Sequence, residues 1–359
     1  MVISAHETLL VQGSWLRKTE GMSAVLKIIK ARHGDAFIFE CKKDEASFVM
    51  VVDSGPRLCA KEIVPIFKQL PQIDLLVLTH FDEDHIAGFI DYFKQYPEDA
   101  LKIKEYWCNC ANQIEVDNGK MISAYDNAKS FADCLREILK EHQDVRWIEL
   151  IKAGHEYHNG LVDIEVIAPS EQALAKNWSS YVAEKYPAIS YQSMEVDYGV
   201  PLQELAKRET PGSSQKVNNA SIAFILRGDG MSYLMLGDVM AEDVYGCLTE
   251  KGYSKENPLK VDFVKVPHHG SKYNIDNNLL DIIKCNGFII STNGGRGSAY
   301  HPDREAIAKI LYHPQRDMHE TIHLYFNYTL KEIGDRVRLF KEGELDAANC
   351  IVHETDLEL

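Results

Sequence analysis

Short apolar runs alternate with amphipathic stretches along most of this chain. Ala24 to Lys30, residues 34–40 and residues 48–55 read as strands, and the polar LysLysAspGlu between the last two predicts an opening hairpin. Leu75 to Leu78 is an unbroken apolar run, as expected of a buried strand, and Ile86 to Gln95 then carries apolar residues at helical spacing. Residues 104–109 predict a further strand, about 120–142 an amphipathic helix, and 162–169 an alternating strand that stops at Pro169. In the second half, 218–226 and 232–238 read as strands paired across ArgGlyAspGlyMet. Further strands are predicted from Asp262 and over 287–291, 322–326 and 336–340, with helices after His269 and from Asp303. Strand and helix patterns that alternate in this way predict an α/β layered fold.

Residues 1–21 show little periodicity and read as a loosely attached arm ahead of one elaborated catalytic domain, 22–345. Within it, 170–216 is a helical, polar insert broken by Pro187, Pro201 and Pro211. A long connection of this kind is expected to carry a substrate-facing lid or a surface for a protein partner. The last segment, 346–359, reads as an acidic tail, mobile after 355.

No run of about 18 apolar residues exists to span a membrane. Charged residues interrupt the first twenty positions where a signal peptide would be continuous, so a cytoplasmic location is expected. The eight cysteines follow no disulfide spacing and read as reduced and buried; Cys108 and Cys110 lack the second pair that a zinc finger needs. The net charge is −15, from 54 acidic against 39 basic residues, which disfavours an extended nonspecific nucleic-acid surface. A phosphodiester substrate stays compatible with that balance, because cations in a site attract phosphate locally.

The chemistry concentrates at strand ends. The strand ending at Leu78 runs straight into His80, Asp82, Asp84 and His85, four potential metal ligands at the carboxyl end, where open α/β sheets place their sites. Buried without partners these groups would be costly, whereas divalent cations satisfy all four together. Asp238 ends a second strand, His268 and His269 follow a third, and His301 closes a glycine-rich loop after a fourth. On an extended chain adjacent residues project to opposite faces, so one of His268 and His269 should face the site and the other support the fold. GlySer after His269 would let a helix start clear the site, which favours His269 as the metal-side residue. His155 and His158 lie near no such strand end and read as surface residues.

HisPheAspGluAspHis resembles the HxHxDH signature of the metallo-β-lactamase superfamily, with Asp82 where the second histidine usually stands. HisHisGlySer at 268–271 and HisPro at 301–302 resemble, within that superfamily, the hydrolase domain of ComEC-type DNA-uptake proteins and their soluble relatives. The resemblance implies an αββα four-layer sandwich of two mixed sheets with the site along one edge. It implies two divalent ions, zinc or manganese, with a hydroxide held between them: His80 and Asp82 on one ion, Asp84 and His85 on the other, Asp238 bridging, and His269 as a further ligand. Asp82 hardens the set, which makes manganese a competitor to zinc. Asp53, ending the strand at 48–55, would brace the metal loop from behind. Asn218 and Asn219 occupy a position where the superfamily usually has a histidine, so the amide of Asn219, or water, would complete the first ion's shell. Asp84 would orient the hydroxide, and His268, His269 or His301 would protonate the leaving oxygen. The implied activity is a phosphodiesterase or nuclease acting on DNA, RNA or a nucleotide. An ester, lactone or thioester hydrolase of the same fold and a non-catalytic, partner-binding subunit are the alternatives.

Overall fold

A computed structural model describes residues 2–3, 21–109, 123–142, 144–174, 197–210, 220–295, 300–334, 337–354 and 357–359. Its strands, in chain order, are β1 (Val2–Ile3), β2 (Met22–Ile28), β3 (Phe37–Lys43), β4 (Ala46–Val52), β5 (Ile73–Leu78), β6 (Ile103–Cys108), β7 (Arg146–Ile148), β8 (Glu156–His158) and β9 (Val162–Ala168). They continue with β10 (Ala223–Gly228), β11 (Met231–Met235), β12 (Leu259–Lys260), β13 (Phe263–Lys265), β14 (Ile283–Lys284), β15 (Gly287–Ile290), β16 (Ile322–Phe326), β17 (Cys350–Glu354) and β18 (Leu357–Glu358).

Apart from a two-stranded parallel pair of β12 and β14, seven strands form one sheet in the order β18-β2-β3-β4-β5-β6-β7, and nine form the other, β1-β17-β16-β15-β13-β11-β10-β9-β8. Both are mixed. In the first, β2, β3 and β4 pair antiparallel and β4 to β7 parallel; in the second, β8 to β11 pair antiparallel and the run from β11 through β13, β15 and β16 to β17 is parallel.

Alternation along each strand builds the layers. On β5, Leu75 and Val77 face the second sheet while Leu76 and Leu78 face the helices Ala60–Gln69 and Glu83–Gln95 through Phe67, Phe89 and Phe93. On β10, Phe224 and Leu226 face the first sheet, and Ala223 and Ile225 pack outward toward Val244 and Ile307 of the helices Ala241–Glu250 and Arg304–Tyr312. The result is the αββα sandwich. Between the sheets, Phe39 meets Tyr233 edge-on at 5.7 Å and Tyr233 stacks on Phe263 at 5.3 Å. Truncating such a ring to alanine costs about 3–5 kcal/mol.

Three expectations change. The segment after 345 is no free tail: β17 is paired along its length with β16, and Leu357 is buried between the sheets while pairing with Ile28. Its alternating CysIleValHis core outweighs the acidic residues around it. Residues 337–340 form no strand, and β17 takes the sheet position expected of them. At the other terminus, Val2–Ile3 pair with Val352 and His353, so this part of the arm extends the sheet edge. Most of the insert's centre and Cys110 lie outside the described residues, and seven described cysteines are free.

Candidate metal centre

The carboxyl ends of β4, β5, β11, β13 and β15 meet at one edge of the sandwich and deliver Asp53, His80, Asp238, His268 and Ser291. The strand-to-helix junction after β5 is short, so His80 falls in the connecting turn and Asp84 and His85 in the first turn of the helix Glu83–Gln95. Ser54 fixes this helix, accepting from Phe89 N at 2.9 Å and donating through its backbone and hydroxyl to His85 O at 2.8 and 2.9 Å. Gly88 allows the approach, since a Cβ there would lie 2.3 Å from Ser54 O.

Asp238 Oδ2 is the centre of the arrangement. His80 Nε2 and His85 Nε2 each lie 3.6 Å from it, and His268 Nε2 lies at 3.7 Å. Asp82 Oδ2 is 3.8 Å from His80 Nε2. On the other side, Asp84 Oδ2 lies 4.0 Å from His85 Nε2 and 3.3 Å from His269 Nε2. Two ligand groups of ion-holding dimensions result, His80, His85 and Asp238, and Asp84, His85 and His269. A third, Asp35, Asp53 and His85, lies behind them.

The supporting contacts fix tautomers and ring planes. Asp53 Oδ2 lies 2.8 Å from His85 Nδ1, and its carboxylate accepts from Thr79 N at 2.8 Å and from Thr79 Oγ1 at 2.7 Å. His269 Nδ1 donates to Ser291 O at 2.9 Å, leaving Nε2 toward Asp84. His268 Nδ1 pairs with Asn274 Oδ1 at 3.0 Å, and Asn274 Nδ2 donates back to Asp238 O at 2.9 Å. Asp238 N donates to Ser221 Oγ at 3.0 Å.

The fully buried His80 Nε2, His85 Nε2 and Asp238 Oδ1 find no hydrogen-bond partner. Orphaned imidazole nitrogens beside a buried carboxylate are costly unless a cation takes them. The titration pattern agrees. Burial would raise the Asp84 and Asp238 carboxyls, but the surrounding imidazoles hold both well below the usual range. Burial works against His85 and His269 as well; Asp238 and Asp53 nevertheless hold His85 up, and Asp35 and Asp84 push His269 to about 10. His80, next to the raised His85, falls to about 3 through burial and that repulsion. Desolvation and the neighbours Asp84 and Asp238 raise Asp82. The pocket is therefore arranged for positive charge, and the donor set fits divalent ions.

The expected geometry at the adjacent histidines is overturned. β13 ends at Lys265, and His268 and His269 both adopt left-handed backbone, φ/ψ 47/52° and 54/20°. Alternation applies to extended chain only. In this turn both rings face the site, 5.9 Å apart. No helix opens at Gly270 and Ser271; the next begins at Asn277. His301 joins them, its ring 5.2 Å from His268, with Nδ1 buried without a hydrogen bond and 3.9 Å from Asp303 Oδ2. Burial and the two neighbouring imidazoles hold it well below its ordinary pKa.

Asn218 and Asn219 lie outside the described residues. Ser221, two positions on, reaches the site floor, with Oγ 3.5 Å from His80 Nδ1. His155 packs edge-on against Trp107 at 4.8 Å and His158 pairs with Asp163 at 2.7 Å on exposed β8, apart from these ligand groups. Sequence reasoning passed over Asp35 and Lys265, both fully buried beneath the ligands. Lys265 had a signal: a lysine inside the apolar run PheValLysVal of a central strand needs a buried partner.

The family model for the metallo-beta-lactamase superfamily matches residues 32–294. No curated protein matches the sequence. Among solved structures, the chain is similar to the metallo-beta-lactamase fold protein YhfI from Bacillus subtilis, at 9% identity and TM-score 0.41, covering 94% of this chain and 99% of that one. It is also similar to Zn(2+)-bound PqqB from Methylobacterium extorquens, at 12% identity and TM-score 0.42, covering 94% and 99%. A long form RNase Z from yeast is similar at 11% identity and TM-score 0.37, covering 76% and 37%.

Proposed function

Because the chain belongs to the metallo-beta-lactamase superfamily, whose members are generally metal-dependent hydrolases, we propose that it is a two-ion phosphodiesterase or nuclease. The observation that carries this reading is the single oxygen Asp238 Oδ2, set 3.6 Å from each of two buried, unpartnered imidazole nitrogens. His80, Asp82 and Asp238 would hold one ion, and Asp84, His85 and His269, with Asp238 shared, the other. Zinc and manganese both suit a set of imidazoles and carboxylates. Such ions supply Lewis acidity, and they lower the pKa of water toward about 7.

The chain's own residues do the rest. Asp53 holds the His85 ring plane, and Ser291 holds that of His269, so that both Nε2 atoms stay turned inward. Asp84, whose side chain is 23% exposed, reaches the solvent side and can orient an attacking water. His301 and His268 stand side by side on the loop flank of the site. Burial holds both rings below their ordinary pKa, so one of them would take a proton from the attacking water and pass it to the leaving oxygen. A phosphodiester suits this centre because ions held by His80, Asp82, Asp84, His85, Asp238 and His269 would supply positive charge to balance that of a phosphate. The finer likeness to ComEC-type hydrolases, through Asp82 and HisHisGlySer, points the same way.

A second reading, an ester, lactone or thioester hydrolase, draws on how Arg57 and Arg32 are engaged. Arg57 pairs with Asp91 at 2.9 Å and Arg32 with Glu62 at 3.0 Å, so neither arginine is committed to gripping phosphate. We also propose that the protein acts in the cytoplasm; among the described residues no helix is long and apolar enough to cross a membrane.

The test is a substrate panel with metal-loaded protein: bis-p-nitrophenyl phosphate, single- and double-stranded DNA, RNA and cyclic dinucleotides against p-nitrophenyl acetate, a lactone and a thioester. Turnover among the phosphodiesters is expected. Turnover confined to the acyl substrates would select the second reading, and none on either side would favour the binding-subunit alternative.

A further inference from the structure

Beneath the candidate ligands lies a charge pair that no expected metal role absorbs. Lys265 and Asp35 are each 1% exposed. The Lys265 ammonium contacts Asp35 Oδ2, donates to Gly237 O at 3.0 Å and lies 3.9 Å from Asp238 Oδ1. Asp35 Oδ1 in turn lies 3.4 Å from His269 Nδ1. These contacts link Asp238 to Lys265, Lys265 to Asp35, Asp35 to His269, and His269 to Asp84. The chain of contacts joins the two sides of the site from below. The ammonium sits among oxygens from three residues, Asp35, Gly237 and Asp238, much as a small cation would.

The two charges come from different layers. Lys265 is the last residue of β13 in the nine-stranded sheet; Asp35 precedes β3 in the other. Gly34, just before Asp35, packs so closely that a Cβ there would meet Asp84 O at 2.0 Å. The loop carrying Asp35 is thereby held against the first turn of the helix Glu83–Gln95.

We propose that Lys265 is a positioning residue for the metal centre: its ammonium, anchored by Asp35, holds Asp238 and His269 in ligand orientation before any ion arrives. The proposal rests on the two-ion reading above. A buried ammonium beside a ligand has two opposed effects on ion binding. As a charge it repels an incoming cation, and as an anchor it preorganises the carboxylate. The anchor prevails because Lys265 faces Oδ1 of Asp238 while the imidazole nitrogens cluster at Oδ2, on the far oxygen.

The experiment is a competition titration of Mn2+ and of Zn2+ into the full chain, as wild type, Lys265→Met and the double variant Lys265→Met/Asp35→Asn, with melting temperatures measured alongside. The single variant leaves Asp35 buried without its ammonium partner and is expected to be less stable; the double variant removes both charges and serves if the single one fails to fold. Expected are affinities at least about tenfold weaker than wild type in both variants, with the double variant recovering stability but not affinity. Equal or tighter binding by the folded variants overturns the positioning role, since it leaves Lys265 as a repelling charge or a purely structural one. A wild type that binds neither ion fails the two-ion reading itself, and the proposal with it.

Discussion

Two strand ends each deliver a pair of histidines to this site, and they do so by different means. After β5, the chain turns directly into a helix, and His80 and His85 are placed by ordinary strand and helix geometry. After β13, His268 and His269 are placed by two consecutive left-handed residues, followed by Gly270 at φ 87°. The first end is supported through its backbone and Asp53. The second is supported through contacts of the rings themselves, to Asn274, Ser291 and Asp35. A spacing rule can be read wherever the backbone is regular; where the turn is strained, only the tertiary contacts decide which way a ring points.

The largest expected effect breaks both ends at once. Asp238→Ala removes the carboxylate that His80, His85 and His268 share, and metal affinity should fall by more than about 100-fold in a titration, with the circular dichroism spectrum retained. Retained affinity would separate the two ends and undo the shared centre. Next comes Asp84→Asn, which keeps the shape but loses the charge opposite His85 and His269. Turnover should drop by at least about 100-fold while the fold survives, because the sheets and not the ions supply the core. An unfolded variant would show that the site and the fold are not separable.

At the second end, His268→Ala and His269→Ala should both lower metal affinity or turnover, the rate by about 10² to 10⁴ where a proton transfer is lost. His269→Ala should be the worse for metal content, since its ring meets Asp84, Asp35 and Ser291. A variant that loses only stability would restore the opposite-faces arrangement that the turn contradicts. The smallest effect concerns the backbone. Gly270→Ala places a Cβ 2.5 Å from Pro302 Cβ at positive φ and should cost about 1–3 kcal/mol in a denaturant midpoint. Gly88→Ala at the first end, at helical φ, places a Cβ 2.3 Å from Ser54 O and should cost about 1–3 kcal/mol of overpacking. A neutral Gly270→Ala would mean that the left-handed turn is not constrained.

Much of this was legible in the sequence, and the exceptions share a cause. The alternating strands, the helix after His85 and the carboxyl-end placement of His80, Asp84, His85 and Asp238 follow from local period and strand-end logic. The left-handed turn at His268 and His269 was not legible, because nothing in HisHisGlySer distinguishes it from a strand end before a helix start. Asp35 was hidden for a different reason: its role depends on Lys265, 230 positions away in the other sheet. The C-terminal strand is masked by composition, because acidic residues surround the short apolar segment CysIleVal.

The central claim is that Asp238 joins two ion-holding groups into one centre, and it is tested most directly by counting ions. Elemental analysis of wild-type protein, reconstituted separately with zinc and with manganese and freed of excess metal, should return close to two divalent ions per chain. No bound metal under either reconstitution, from protein with a native circular dichroism spectrum, would contradict it.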